Sequence, residues 1–373
     1  MPQPLRGFAM TGPERSANDE RENGMTKAIH AGGVTIGGGA PVSVQSMCNT
    51  KTEDVEATVG QVKALAAAGC DLVRLAVPTA EAAKALRSIR EQSPVPLVAD
   101  IHFDYRLAIA AAEAGMDKIR INPGNIGPEE NVRKVADACR AAGAPIRIGI
   151  NGGSLEKGLL AKYGGPTPEA MLESALGHVR LLNKFGFDDI CLSLKCSEVR
   201  ATVAAYELAA EKTDYPLHIG ITEAGGGEMA VVKAAAGIGS LLLRGIGDTL
   251  RVSMTGDPLR EPQVGIEILR ALGLRKDAPE FVACPTCGRT EIDLEGLYLA
   301  VQEKLRNCRA PIRVAVMGCV VNGPGEAAAA DYGVAGGKDC GLLFRKGVRL
   351  RTVPFEGLAD ALADLIRADG IEI

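Results

Sequence analysis

Cys284 and Cys287 form a CxxC pair, and Cys319 follows further along in the run GCVVNGPGEA. A CxxC alone suits a thioredoxin-like redox pair, half a zinc site or half a cluster site. No second CxxC follows to complete a zinc set. Three thiolates with one position open suit an iron–sulfur cluster better than closed structural zinc. The fourth ligand is then Cys308, Cys340 or a group other than a thiolate. Glu326 lies on the same Gly/Pro-rich loop as Cys319, where Gly323, Pro324 and Gly325 can bend the chain back. Cys70, Cys139 and Cys191 lie in Ala/Leu-rich or apolar segments and read as small core residues.

A second set of reactive residues recurs at the ends of short apolar runs. These ends carry Arg74, then Asp100 with His102, Arg120 with Asn122, and Arg147 with Asn151. Further along come Lys195, Thr222 with Glu223, and Arg251 with Ser253. Arg and Lys are rare inside buried strands, so any one of them could point outward or sit in a salt-bridge layer. Several at corresponding positions predict a polyanion site, and guanidinium forks match the oxygens of a diphosphate. Glu223 directly precedes Gly225, Gly226 and Gly227. It reads as a general acid or base beside phosphate-binding amides, or else as a salt-bridge partner of the arginines. His102 alone is a weak signal.

The elements that must position these residues follow from periodicity. Apolar runs at 42–47, 72–77, 97–101, 119–122, 146–150, 190–194, 217–221 and 250–254 read as strands covered on both faces. Ala-rich helical patterns alternate with them at 55–68, 80–92, 105–114, 128–142, 168–185, 197–212, 229–237 and 259–272. Gly69, Gly115, Gly143 and Gly186 fall where left-handed C-caps belong. About eight βα units in succession is the arithmetic of a TIM (β/α)8 barrel, whose chemistry sits at the C-terminal strand ends. No GxGxxG follows the first strand, which argues against a doubly wound sheet. Beyond Leu272 a link leads to CPTCGR and a smaller α+β unit. Its helix is expected at 291–305, a strand at 312–317, strand-like pieces at 341–353 and a last helix at 355–368. The expected organisation is therefore an extension at 1–24, a substrate-binding barrel at 25–272 and an iron–sulfur domain at 273–373.

Composition excludes other classes. The chain has 373 residues, 46% hydrophobic and 24% charged, with a net charge of −4. That charge offers no field for nucleic acid, and 3% aromatics without Trp offer no stacking platform. No apolar stretch nears the roughly 20 residues that span a bilayer. Residues 1–24 are polar and mixed in charge, unlike a signal or transit peptide, and read as disordered, with Met25 a candidate start. A cytoplasmic chain is expected.

The runs CPTCGR and GCVVNGPGEA resemble the signature of the 4-hydroxy-3-methylbut-2-en-1-yl diphosphate synthases of the non-mevalonate isoprenoid pathway. VQSM, VADIHFDYR, RINPGNIG, NGGSLEK, GITEAGG and GIGDTLRVS match the same family, over nearly everything from Ile36 to Gly337. The resemblance implies reductive ring opening and dehydration of 2-C-methyl-D-erythritol 2,4-cyclodiphosphate. It also implies a [4Fe-4S] cluster held by Cys284, Cys287, Cys319 and Glu326, and flavodoxin or ferredoxin as electron donor. Arg74, His102, Arg120, Arg147, Lys195, Thr222, Arg251 and Ser253 are the expected substrate-binding residues, with Asn151 and Glu223 near the reacting carbons. The chain has no room for the extra domain of plant-type members. The strand-to-helix path predicts a cluster domain launched from the barrel face opposite the cations. A homodimer is therefore expected, its active site shared between chains. The rival reading is a barrel of the dihydropteroate-synthase kind with a structural zinc appendage. A metal-dependent regulator would need a basic stripe or exposed heptads for its partner, and neither is visible.

Overall fold

The computed structural model describes residues 25–288, 290, 292–319, 325 and 327–373. The extension expected at 1–24 lies outside the described residues. Two compact units divide between Leu274 and Arg275.

The first unit is the eight-stranded barrel. Its strands are β3 (Ser43–Met47), β4 (Leu72–Ala76), β5 (Leu97–Asp100), β6 (Lys118–Ile121), β7 (Ile146–Asn151), β8 (Ile190–Lys195), β9 (His218–Ile219) and β10 (Thr249–Leu250). They pair in parallel in the order β8-β7-β6-β5-β4-β3-β10-β9. A bridge between Leu192 and Leu217 closes the ring. Alternate side chains therefore face a common interior. The outward set, such as Val73, Leu97, Ile121, Ile148 and Leu192, packs under the surrounding helices in the main core.

Those helices are α1 (Val55–Ala67), α2 (Ala80–Glu91), α3 (Tyr105–Glu113), α4 (Glu129–Ala142), α5 (Lys157–Tyr163), α6 (Pro168–Lys184), α7 (Val199–Lys212), α8 (Gly227–Leu242) and α9 (Arg260–Ala271). Asp54, Thr79, Asp104 and Thr167 accept backbone N–H bonds at the starts of α1, α2, α3 and α6. α8 runs longer than its pattern at 229–237 predicts. Gly237 lowers helix propensity there, but a Cβ would meet Ile221 Cδ1 at 2.5 Å, so close packing on the strand requires it. α5 and the hairpin β1 (Ile29–Ala31) with β2 (Val34–Ile36) were not evident in the pattern. The hairpin seals the N-terminal end of the barrel. Ile29, Ala31 and Ile36 cluster there with Leu72, Val98 and Cys191.

The second unit has one sheet in the order β11-β12-β13-β14-β15. These are β11 (Glu280–Ala283), β12 (Arg313–Met317), β13 (Tyr332–Gly336), β14 (Cys340–Arg345) and β15 (Val348–Pro354). The first three are parallel and the rest antiparallel. Lys346 and Gly347 both have positive φ, 48° and 75°, which fits the tight turn joining β14 to β15. Helices α10 (Leu294–Lys304) and α11 (Leu358–Ala368) contribute Leu297, Val301, Leu362 and Ile366 to a core with Val314, Val316 and Val334. No helix among the described residues is long and apolar enough to cross a membrane.

Ile36 is fully buried in the hairpin seal. Ile36→Ala should cost about 2–4 kcal/mol in denaturant unfolding of the chain. A loss under about 0.5 kcal/mol would show that the seal adds little to stability.

Candidate active site

At the C-terminal ends of the barrel strands lies a cavity of about 260 Å³. Arg74, His102, Arg120, Arg147, Asn151, Lys195, Thr222, Arg251 and Ser253 all line it, beside Met47, Asp100, Gly149 and Ser193. The period of two turns each strand's last polar residues inward while Val, Ile and Leu face the helices.

Two carboxylates order the cations. Asp100 Oδ1 accepts from Arg120 Nη1 at 3.0 Å, and its Oδ2 lies 3.2 Å from His102 Nε2 and 3.7 Å from Arg74 Nε. Burial raises the pKa of Asp100, but Arg74, the His102 contact, Arg120 and Arg147 outweigh it and hold the carboxyl far below the usual range. Glu261, at the start of α9, takes Arg251 through two bonds of 3.1 Å and accepts from Ser46 Oγ at 2.7 Å. Arg74 also donates to Met47 Sδ, from Nε at 3.0 Å and Nη2 at 2.8 Å. Two glycines make space: a Cβ at Gly149 would stand 2.4 Å from Arg120 Nε, and one at Gly220 would stand 2.8 Å from Lys195 Nζ.

The remaining cations are under electrostatic pressure. Burial, then the charges of Arg147, Arg251 and Arg74, push Lys195 well below an ordinary lysine. Burial, and next Arg120, push Arg147 down to about 10. Burial also lowers Arg74, against the pull of Asp100. A bound polyanion would relieve all three at once.

Comparison with known proteins gives the family. Residues 26–266 match the GcpE TIM-barrel domain, and residues 280–368 match the GcpE protein C-terminal domain. The chain belongs to the GcpE family. A relative from Geobacter sulfurreducens, 4-hydroxy-3-methylbut-2-en-1-yl diphosphate synthase (flavodoxin), is 58% identical over 90% of this chain and 96% of its own length. A relative of the same name from Maridesulfovibrio salexigens is 60% identical over 88% of this chain and 92% of its own. Among solved structures, Yersinia pestis dihydropteroate synthase aligns with a TM-score of 0.47 and 14% identity, over 66% of this chain and 97% of that one.

In this GcpE chain, Glu223 is set apart from the other expected site residues. It follows Thr222, but its side chain is exposed and does not line the cavity. Its φ is 53°, a left-handed conformation uncommon for a residue with a Cβ. In the second unit, Cys284 and Cys319 follow the adjacent strands β11 and β12, whose last paired residues include Ala283 and Val316. The Gly318 N–H donates to Cys284 Sγ at 3.1 Å, which ties the end of one strand to the other. Cys287 is exposed on the following turn, where its carbonyl accepts from Thr290 N at 2.9 Å. A donor set of thiols fits an iron–sulfur group in its chemistry. Among the described residues, however, no three His, Cys, Asp or Glu side chains are drawn together as a metal set. Glu326 lies outside the described residues. Asp100 stood in the motif VADIHFDYR without an assigned role; Met47 and Ser193 were also missed as site residues, although both share the inward register.

The depressed pKa of Lys195 gives a signed prediction. Inorganic diphosphate placed among these cations should raise that pKa, so Lys195 should take up protons on binding, in opposition to the protons that the diphosphate itself gives up beside the cations. Calorimetry in buffers of different ionisation enthalpy measures the net proton exchange. Lys195→Met should shift that exchange toward proton release, and an exchange identical to the wild type's would contradict the arrangement.

Proposed function

We propose that this chain opens the ring of 2-C-methyl-D-erythritol 2,4-cyclodiphosphate and removes the C3 hydroxyl, giving 4-hydroxy-3-methylbut-2-enyl diphosphate. The observation carrying this reading is the cavity that collects Arg74, Arg120, Arg147, Lys195 and Arg251 around Asp100 and the neighbouring Glu261, the buried acids among the described residues. Such an excess of buried positive charge calls for a polyanionic substrate. Two electrons and two protons enter, and one water leaves. Flavodoxin is in the names of the relatives; flavodoxin or ferredoxin is the proposed donor here. The proposed ligands of a [4Fe-4S] cluster are Cys284, Cys287, Cys319 and Glu326. When bound, that group supplies electrons one at a time. The reducing cytoplasm suits its thiolates.

The chain's own residues divide the remaining work. The guanidinium groups and Lys195 hold the diphosphate and offset the charge that the opening ring leaves on it. Ser253, Ser193, Thr222 and Asn151 offer hydroxyls and an amide to orient the carbon skeleton. Burial of Asp100, Arg120 and Arg147 keeps bulk water from the floor of the cavity. Glu223 is the proposed proton donor to the departing hydroxyl oxygen. The proposal includes a homodimer in which the cluster unit of one chain serves the barrel of the other.

Protein purified without oxygen should show the broad visible absorption of an iron–sulfur group, with iron and sulfide in [4Fe-4S] proportion. It should turn over the cyclodiphosphate with reduced flavodoxin. Colourless protein carrying zinc would favour the dihydropteroate-synthase-like alternative. Serine at Cys284, Cys287 or Cys319 should abolish cluster and activity, whereas Glu326→Gln should keep some cluster with altered iron coordination. Loss of the cluster in Cys308 or Cys340 variants, with Glu326→Ala unaffected, would refute the ligand set.

Removing Arg120, Arg147 or Lys195 should raise KM with the cluster intact, each lost contact costing about 1.5–3 kcal/mol. Glu223→Gln should depress kcat more than binding. Mixed dimers of Glu223→Ala and Cys284→Ser chains test the shared site: recovery of activity supports it, and dead mixed dimers reject it.

A further inference from the structure

Beneath the cavity the barrel interior holds a second polar layer that the proposed chemistry does not use. Gln45 stands two residues before Met47, Lys118 two before Arg120, Cys191 two before Ser193 and Thr249 two before Arg251, so each faces the same interior one level deeper. His218 stands four before Thr222 in the same register. Gln45, Lys118, His218 and Thr249 are wholly buried. The apolar hairpin closes the barrel below them.

The layer is short of partners. Lys118 Nζ, Arg147 Nε and Nη1, both amide atoms of Gln45, both ring nitrogens of His218 and the hydroxyls of Ser43 and Thr249 find no hydrogen-bond partner among the described residues. A buried donor left unmet costs about 1–3 kcal/mol, so this many are not left empty-handed. Among the described residues, no buried acid stands within the layer itself. The buried acids Asp100 and Glu261 are engaged with Arg120 and Arg251. Burial pushes the Cys191 thiol up to about 11 despite Lys118 and Arg147, so it stays neutral. Burial, then Lys195 and Arg147, push His218 far down, so its ring is neutral and donates once. Burial, with Arg147 and Arg74 beyond it, brings Lys118 to about 8, still largely protonated at neutral pH.

We propose that Lys118, Arg147, His218, Gln45 and Thr249 enclose a small monovalent anion of the halide class, held beneath the substrate cavity as a resident counter-ion. Water would meet the hydrogen bonds of this layer but not its charge; an anion meets both. Donors predominate: ammonium, guanidinium, amide and hydroxyl. The closed floor favours a small ion. Held there, the anion would fix Arg147 through its Nε edge and leave the rest of the guanidinium for the cavity above.

Crystals of the wild-type holoenzyme grown in bromide give a direct test. An anomalous bromine peak in contact with Lys118 Nζ and Arg147 is expected; waters alone at that position would overturn the proposal. In solution, the full chain is compared in chloride and in gluconate at equal ionic strength, with inorganic diphosphate saturating the cavity. Chloride should raise Tm by about 2–4 °C, and Lys118→Met should lose that increment. Equal responses from wild type and variant would mean a general salt effect and reject the site. Disappearance of the wild-type response with diphosphate present would place the anion in the substrate cavity and reject it equally. Should Lys118→Met not fold, Gln45→Leu takes its place under the same criteria, and the bromide map needs no variant.

Discussion

Asp100 is the point on which the barrel mouth turns. A ring of parallel strands gathers alternate side chains into one shared interior. Here that interior receives arginines and lysines from β4, β6, β7 and β8, whose mutual repulsion grows as water is removed. Asp100 answers Arg120 directly and stands close to Arg74 and His102. Glu261 does the same for Arg251 from outside the ring, reaching in from the start of α9. With these anchors, part of the positive charge is fixed in position and part is left for a ligand. That division distinguishes a binding site from a merely destabilised core.

The strands are short because little else is needed. Each supplies one or two inward polar groups at its C-terminal end and an apolar outer face under the helices. Glycine at 149 and 220 lets Arg120 and Lys195 lie across neighbouring strands. Function has shaped the barrel's inner surface, while the outer surface follows ordinary packing.

The outer packing was the legible part of the sequence. Runs of Val, Ile and Leu alternating with Ala-rich helical patterns mark the eight βα units. Gly69, Gly115, Gly143 and Gly186 do take positive φ after their helices. The cations at strand ends were legible because charge inside an apolar run is conspicuous. Other features left weaker traces. β1 and β2 have three residues each, and β13 reads YGVAG, which is poor in strand formers. Lys118 opens its strand, where a lysine looks like a solvated end; only its even spacing from Arg120 betrays an inward direction. Glu223 was marked by resemblance and by its place in GITEAGG, and neither signals that its backbone is left-handed and its side chain exposed.

The hairpin seal has a consequence for how the chain acquires its structure. Ile29, Ala31 and Ile36 are among the earliest of the described residues to be synthesised, yet their partners Leu72, Val98 and Cys191 lie on β4, β5 and β8. Until β8 has left the ribosome, the hairpin has no complete surface to settle on. A two-stranded ribbon of this length is not stable alone. The floor of the barrel therefore forms late, from the beginning of the chain, by contacts of long sequence separation. Such contacts slow folding and leave the apolar ribbon uncovered during synthesis, when association with other nascent chains competes with completion of the ring.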